Sequence, residues 1–129
     1  MALLHAQTAR GTIDAIGKRL EEAVKAHKFG VIAVIDLQAK MREKGVEFSR
    51  PCRIYEVCNP LRAKKVLEKE MAIATAMPCR IALYEQAGQA MLATLLPTQT
   101  LGLFDVPDLA AEAQDVEREI LAMIAEAAG

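Results

Sequence analysis

Two tripeptides combine a thiol with a proline at the edge of a predicted regular element: Cys58-Asn59-Pro60 and Met77-Pro78-Cys79. A cysteine reacts as its thiolate, and the thiolate fraction near neutral pH is set by the thiol's surroundings. Asn59 reads as a helix N-cap and Pro60 as the first-turn proline that follows it. Cys58 then lies where free amide N–H groups and the helix dipole favour negative charge, which can lower a thiol from about 8.5 into the range of roughly 3.5–7.5. A nucleophile, a sulfur carrier or a metal ligand would be served by that shift. The competing reading is packing, because unbridged cysteine is among the most buried residue types and behaves as a small hydrophobe. Packing weighs more heavily for Cys79, which enters a strand directly after Pro78.

Cooperation between the two thiols depends on topology. If the helix after Pro60 is a right-handed crossover between parallel strands, Cys58 and Cys79 lie at opposite ends of neighbouring strands, about a strand length apart. Antiparallel pairing brings them together. A redox pair, a persulfide relay or a two-thiolate site for a soft cation such as Cu(I) then becomes feasible, with Met77 or Met71 as thioether donors. Against these roles stand the absence of a C-x-x-C spacing and the commoner use of methionine as a gap filler. Tyr55, Tyr84 and Arg80 are the side chains expected to line a ligand cleft with Cys58, Asn59 and Cys79. Cys52 shares a strand face with Cys58, but six steps of about 3.3 Å separate them by roughly 20 Å, beyond the Cα spacing of about 4.4–6.8 Å that a disulfide allows.

Other chemistry is sparse. His5 and His27 do not form a zinc pair, and His27, close to a helix C-terminus, reads as a partner of the dipole. Asp36 is explained as a helix cap, and Lys64-Lys65 is too small a cluster to hold phosphate alone. No Gly-rich phosphate loop or serine elbow occurs, and no acid, base and nucleophile set can be assembled, so no catalytic activity is assigned and no cofactor is expected. Sixteen basic against seventeen acidic residues give a net charge of -1, which provides no attraction to nucleic acid or anionic lipid. No apolar run approaches the roughly 20 residues that span a bilayer, and a secretory leader is not evident. Three cysteines, an odd number, fit reduced thiols better than a disulfide framework. A cytoplasmic protein without a membrane or nucleic-acid partner is the expectation.

The elements that must position the thiols follow from periodicity. Thr12 caps a predicted helix in which Ile13, Ile16, Leu20, Ala23 and Val24 recur at spacings of three and four. Residues 29–35 run apolar without alternation and predict a strand buried on both faces. Asp36 caps a short helix over 37–44 that ends at Gly45. Residues 52–58 alternate as a strand, and Pro60 opens a helix through Glu68 that turns Ala63, Val66 and Leu67 inward. Strands over 79–85 and 89–96, joined by Gln86-Ala87-Gly88, predict an antiparallel hairpin. Residues 97–104 lack a period but carry Leu101, Leu103 and Phe104, which predicts an ordered loop packed across the core or a neighbour. Leu109, Ala113, Val116, Ile120, Met123, Ile124 and Ala127 mark a long amphipathic C-terminal helix. A short strand within residues 2–7 completes the series.

This order predicts one α+β domain over 1–129, with a mixed sheet of about five strands packed with helices. Four helices of modest length do not readily cover both faces of such a sheet, so a homodimer is expected. Phe29-Gly30, Asp36, Cys58-Asn59-Pro60 with Ala63, Pro78-Cys79, Tyr84, Gly88 and Pro97 together resemble the domain of unknown function family 302 over about residues 10–97. The resemblance implies a compact α+β fold that tends to dimerise and brings no established activity. Cys52, Met71 and Met77 lie outside its pattern. Two functions are compatible with the sequence: a small-ligand binding or interaction module centred on the Cys58-Asn59-Pro60 turn, or a thiol protein handling sulfur, redox equivalents or Cu(I) through Cys58 and Cys79.

Overall fold

The computed structural model describes residues 2–129. Five strands, β1 (Leu4–Thr8), β2 (Gly30–Asp36), β3 (Cys52–Cys58), β4 (Cys79–Gln86) and β5 (Gln89–Leu95), form one sheet in the order β1-β5-β4-β3-β2. Every pairing is antiparallel. The sheet is therefore α+β in the expected sense but contains no parallel pair. The segment between β3 and β4 returns to the same end of the sheet, so it acts as a long hairpin connection and not as a crossover.

Two helices roof one face. Helix α1 (Ile13–Ala26) starts where the Thr12 hydroxyl accepts the Ala15 amide at 3.1 Å, and buries Ile16, Leu20, Ala23 and Val24. Helix α2 (Leu37–Glu43) is capped by Asp36, whose carboxylate accepts the Ala39 amide at 2.9 Å. Helix α3 (Pro60–Lys69) buries Val66 alone, while Ala63 and Leu67 are half-buried. After a 3-10 turn at Met71–Ala76 and the hairpin, a short helix α4 (Pro97–Thr100) runs into a second 3-10 turn at Leu101–Leu103. Residues 97–104 are thus helical where a loop was expected, and Leu103, 84% exposed, does not pack inward. Helix α5 (Leu109–Ala128) lies beside α1 and buries Val116, Ile120, Met123 and Ile124.

The core between these helices and the sheet is made by alternate strand residues: Tyr55 and Val57 of β3, Ile81 and Leu83 of β4, Ala90 and Leu92 of β5. Their neighbours point to the other face. The long helices α1 and α5 both pack on the core side, and α2, which lies against β2 and β3, has no fully buried residue. Strand β2 is a half-exposed edge strand, with Ile32 at the bulge 61% exposed and Val34, opposite Tyr55 on the core side, 45% exposed, and not the doubly buried strand its apolar run predicts. β4 and β5 meet in a two-residue turn, Ala87-Gly88, with φ of 53° and 76°. Positive φ at both centres is the geometry that matches hairpin twist, and Gly88 adopts it without steric cost.

No helix among the described residues is long and apolar enough to cross a membrane.

Candidate functional site

At the end of β3 the backbone turns from strand to helix through Cys58-Asn59-Pro60. The Asn59 Oδ1 accepts two backbone amides, Leu61 at 3.0 Å and Arg62 at 3.2 Å. Its Nδ2 donates to the Lys28 carbonyl at 3.4 Å, which joins this turn to the connection between α1 and β2. Arg62, one turn into α3, donates to Glu112 at 3.2 Å and lies 3.7 Å from Asp115, so α3 is held against α5 by charge. On the far side, Glu117 of α5 accepts both the Thr98 amide at 3.0 Å and the Thr98 hydroxyl at 2.7 Å. These contacts fix two walls, α3 and the α4 segment, on either side of the β3–β4 strand ends.

Between the walls lies a cleft lined by Cys58, Ala63, Val66, Met77, Cys79 and Leu101, with Phe29, Asn59, Arg62, Pro78, Pro97 and Thr100 completing its rim and floor. Its cavity volume is about 50 Å³ and its lining is nearly all apolar. The peptide bond from Met77 to Pro78 is cis. A second groove, lined by Arg80 and Leu95, shares Ala76, Pro78, Cys79, Pro97 and Thr100 with the first and opens toward the sheet face opposite the core.

Antiparallel pairing of β3 with β4 sets Val57 opposite Cys79, which brings the next residue, Cys58, to the same strand end. Both thiols and Met77 line the cleft. Tyr55 and Tyr84 do not. Tyr55, 2% exposed, is inside the core with its hydroxyl against Gly17, and Tyr84 is on the face opposite the core, paired across the strands with Cys52. Arg80 reaches the neighbouring groove and donates to Glu56 at 3.1 Å. Met71 is 68% exposed and outside the cleft. The walls formed by the 3-10 turn and α4 lie outside the residues that the sequence marks as a site. Their signals were the Pro97 start, a first-turn proline, and Glu70, which accepts the Ala72 amide at 3.2 Å.

All three cysteines are free and half-buried. The direction of their ionisation is opposite to the one the helix terminus suggests. Burial raises Cys58 above the ordinary thiol value. Burial, with Cys58 nearby, pushes Cys79 up to about 11. Burial and the neighbouring Asp36 carboxylate raise Cys52. The two amides that could have stabilised a Cys58 thiolate are already engaged by Asn59 Oδ1, so desolvation decides the sign. Near neutral pH the cleft therefore holds neutral thiols: soft, weakly polar surface and not an activated nucleophile.

His27, at the end of α1, is held by two carboxylates of α5. Its Nδ1 faces Glu119 and its Nε2 lies 2.6 Å from Glu126. The hydrogen bond with Glu126, then that with Glu119, raises its pKa against the opposing effect of burial. Its side-chain partners are thus carboxylates of another helix, while its backbone N–H donates to the Ala23 carbonyl of its own. No group of three or more His, Cys, Asp or Glu that could hold a metal ion occurs among the described residues.

The chain is similar over 98% of its length to a solved structure that it matches at a TM-score of 0.93 and 29% identity, covering 99% of that chain: the crystal structure of an uncharacterized conserved protein DUF302 from Bacillus stearothermophilus. None of the curated proteins matches the chain. The family model described as "Domain of unknown function DUF302" matches residues 5–127, a wider span than the sequence motifs cover. With the strand order, the Cys58-Asn59-Pro60 cap and the Pro78-Cys79 strand start all in place, the chain belongs to the domain of unknown function family DUF302.

Proposed function

We propose that the protein is a small binding module that takes an uncharged apolar group into the cleft beside the Cys58-Asn59-Pro60 turn. The observation that carries this reading is the lining: the cleft is walled almost wholly by carbon and sulfur atoms, and its charged neighbour, Arg62, is already paired with Glu112 and Asp115. An anionic head group would have to displace those carboxylates, whereas an aliphatic or aromatic tip displaces only weakly held water. A cavity of about 50 Å³ admits the end of a chain or one branched group, not a whole cofactor; an engineered apolar cavity of roughly 150 Å³ is needed to enclose benzene. The test is a titration of isotopically labelled protein with short alcohols from propanol to hexanol, followed by methyl chemical shifts. Saturable shifts at Val66, Met77 and Leu101, abolished in Ala63→Leu, support the site. Equal, unsaturable shifts across the molecule sink it.

A second reading is favoured by one observation, the arrival of Cys58, Cys79 and Met77 at a single cleft. Soft Cu(I) binds thiolate and thioether sulfur, and its binding would drive off the two protons that burial retains. Competition of the protein with a chromophoric Cu(I) chelator, repeated with Cys58→Ser and Cys79→Ser, separates the readings: no transfer of copper leaves the cleft to apolar ligands.

We also propose that the working unit is a homodimer, because the two long helices, α1 and α5, pack on the same face of the sheet.

A further inference from the structure

Leu101 lines two cavities, the thiol cleft and a second one of about 260 Å³ beside the start of α5. It is the one residue common to both linings, so its side chain separates them. The second cavity is enclosed between α5 and the segment formed by α4 and the 3-10 turn that follows it. Leu101, Leu109 and Ala113 are buried at its floor, and Phe104 and Val106 are half-buried in its walls. Asp105, Ala110 and Gln114 are exposed at its rim. An apolar floor beneath a few polar groups is the usual form of a small-molecule site. An engineered apolar cavity of roughly 150 Å³ encloses benzene, so this one has room for a single ring with a short arm, and the thiol cleft of about 50 Å³ has not.

The rim decides the charge of the arm. The Val106 amide donates to the Phe104 carbonyl at 2.8 Å, a γ-turn with Asp105 at its centre. Asp105 is the only charged residue in the lining, and among the described residues no ion pair engages it. Glu117, close by, is already used, because it accepts both the amide and the hydroxyl of Thr98. The unpaired amides that open α5 point along its axis past Asp108, whereas the cavity lies against the side of the helix, reaching Ala113 and Gln114 one turn in. A carboxylate ligand would meet Asp105 and no cation.

We propose that this cavity binds a small primary amine carrying one ring on a short arm. The ring rests on Leu101, Leu109 and Ala113, and the ammonium group donates to the Asp105 carboxylate and the Gln114 side-chain oxygen at the rim. The site is separate from the thiol cleft and does not depend on what fills that cleft.

Three probes share a ring and a two-carbon arm and differ in charge: 2-phenylethylamine, 2-phenylethanol and 3-phenylpropanoate. Each is titrated at pH 7 and low ionic strength into isotopically labelled full chain and followed by methyl chemical shifts. Saturable shifts are expected at Val106, Leu109 and Ala110, with Val66 and Met77 unmoved. The amine should bind about two- to five-fold more tightly than the alcohol, the range of an exposed ion pair, and the acid should bind most weakly. Asp105→Asn, at an exposed turn position, should bring amine and alcohol to equal affinity, and about 0.3 M salt should narrow the gap in the wild type. Unsaturable shifts, shifts confined to Val66 and Met77, or an acid that binds as tightly as the amine overturn the site. An amine preference that survives both Asp105→Asn and salt overturns the recognition assigned to Asp105.

Discussion

Replacing Gly17 by Ala should change sign according to whether Tyr55 keeps its hydroxyl. Gly17 lies mid-way along α1, where alanine ordinarily gains about 1 kcal/mol over glycine. A methyl group built at Gly17 would sit 2.3 Å from the Tyr55 hydroxyl oxygen, 3.4 Å from Arg53 Nη1 and 3.5 Å from the Tyr55 ring carbon that bears the hydroxyl. The first distance is unattainable; the last is ordinary contact. Tyr55 is 2% exposed and packed among Val57, Ile81 and the α1 residues, so relief requires α1 to lift or the ring to leave its rotamer. Overpacking of this kind costs about 1–3 kcal/mol. Gly17→Ala in the wild type should therefore lose about 1 kcal/mol net, and in Tyr55→Phe, where only the Arg53 and ring contacts at ordinary distance remain, it should gain up to about 1 kcal/mol. The coupling in a double-mutant cycle is then about 2 kcal/mol, far above the few tenths expected of independent sites. Urea unfolding of the four proteins followed by circular dichroism measures it. The same sign in both backgrounds would refute the close approach of the helix to the Tyr55 hydroxyl.

Three further outcomes follow from the same geometry. His27, with its folded pKa raised by Glu126 and Glu119, contributes stability that is fully present below its unfolded value of about 6.5 and is lost as pH rises through the folded value. The pair is partly solvated, so the loss is about 0.5–1 kcal/mol; His27→Gln should abolish that step in a comparison of unfolding midpoints at pH 5.5 and pH 9. Cys79, raised to about 11 by burial, retains its proton when folded, so the native state loses stability above the unfolded value near 9, by about 2 kcal/mol at pH 11. In native protein iodoacetamide should label Cys52 and Cys58 well before Cys79, and Cys79→Ala should flatten the alkaline limb; prompt labelling of Cys79 at pH 8 contradicts its burial. Ala87, held at φ 53° in the β4–β5 turn, should accept asparagine with a gain of about 0.5–1 kcal/mol, because Asn-Gly is the preferred pair for a turn with both φ values positive. Thermal unfolding of Ala87→Asn decides it, and a lower midpoint is the adverse result.

Much of the fold was legible because local rules and tertiary structure agree. Thr12, Asp36 and Asn59 each cap the helix predicted after them, with side-chain oxygens on the expected amides. The strands expected over 52–58 and 79–85 appear as Cys52–Cys58 and Cys79–Gln86. What failed was information that a local pattern does not carry. The apolar run of β2 reads the same whether both faces meet protein or one meets solvent, so its edge position was invisible. Parallel and antiparallel arrangements of β3 and β4 use identical strand sequences, and only the observed pairing unites Cys58 with Cys79. The cleft walls escaped for a related reason: Met71–Ala76 and Pro97–Leu103 form turns too short to show a period.

The thiols illustrate how a correct local assignment can point to the wrong chemistry. Cys58 does precede the N-cap of α3, and a helix N-terminus does favour an anion. The cap residue is nevertheless the anion's competitor: Asn59 occupies the Leu61 and Arg62 amides with a side-chain oxygen that needs no proton removed. What remains at Cys58 is the desolvation imposed by Val66, Met77 and Leu101 across the cleft, and desolvation favours the neutral thiol. Substituting Asn59 by alanine frees those amides, so Cys58 reactivity should rise at pH 7.5 even as α3 loses about 1 kcal/mol of capping. Unchanged labelling of Cys58 in a folded Asn59→Ala protein would mean that the dipole never reached the sulfur, leaving burial as the one control on this thiol.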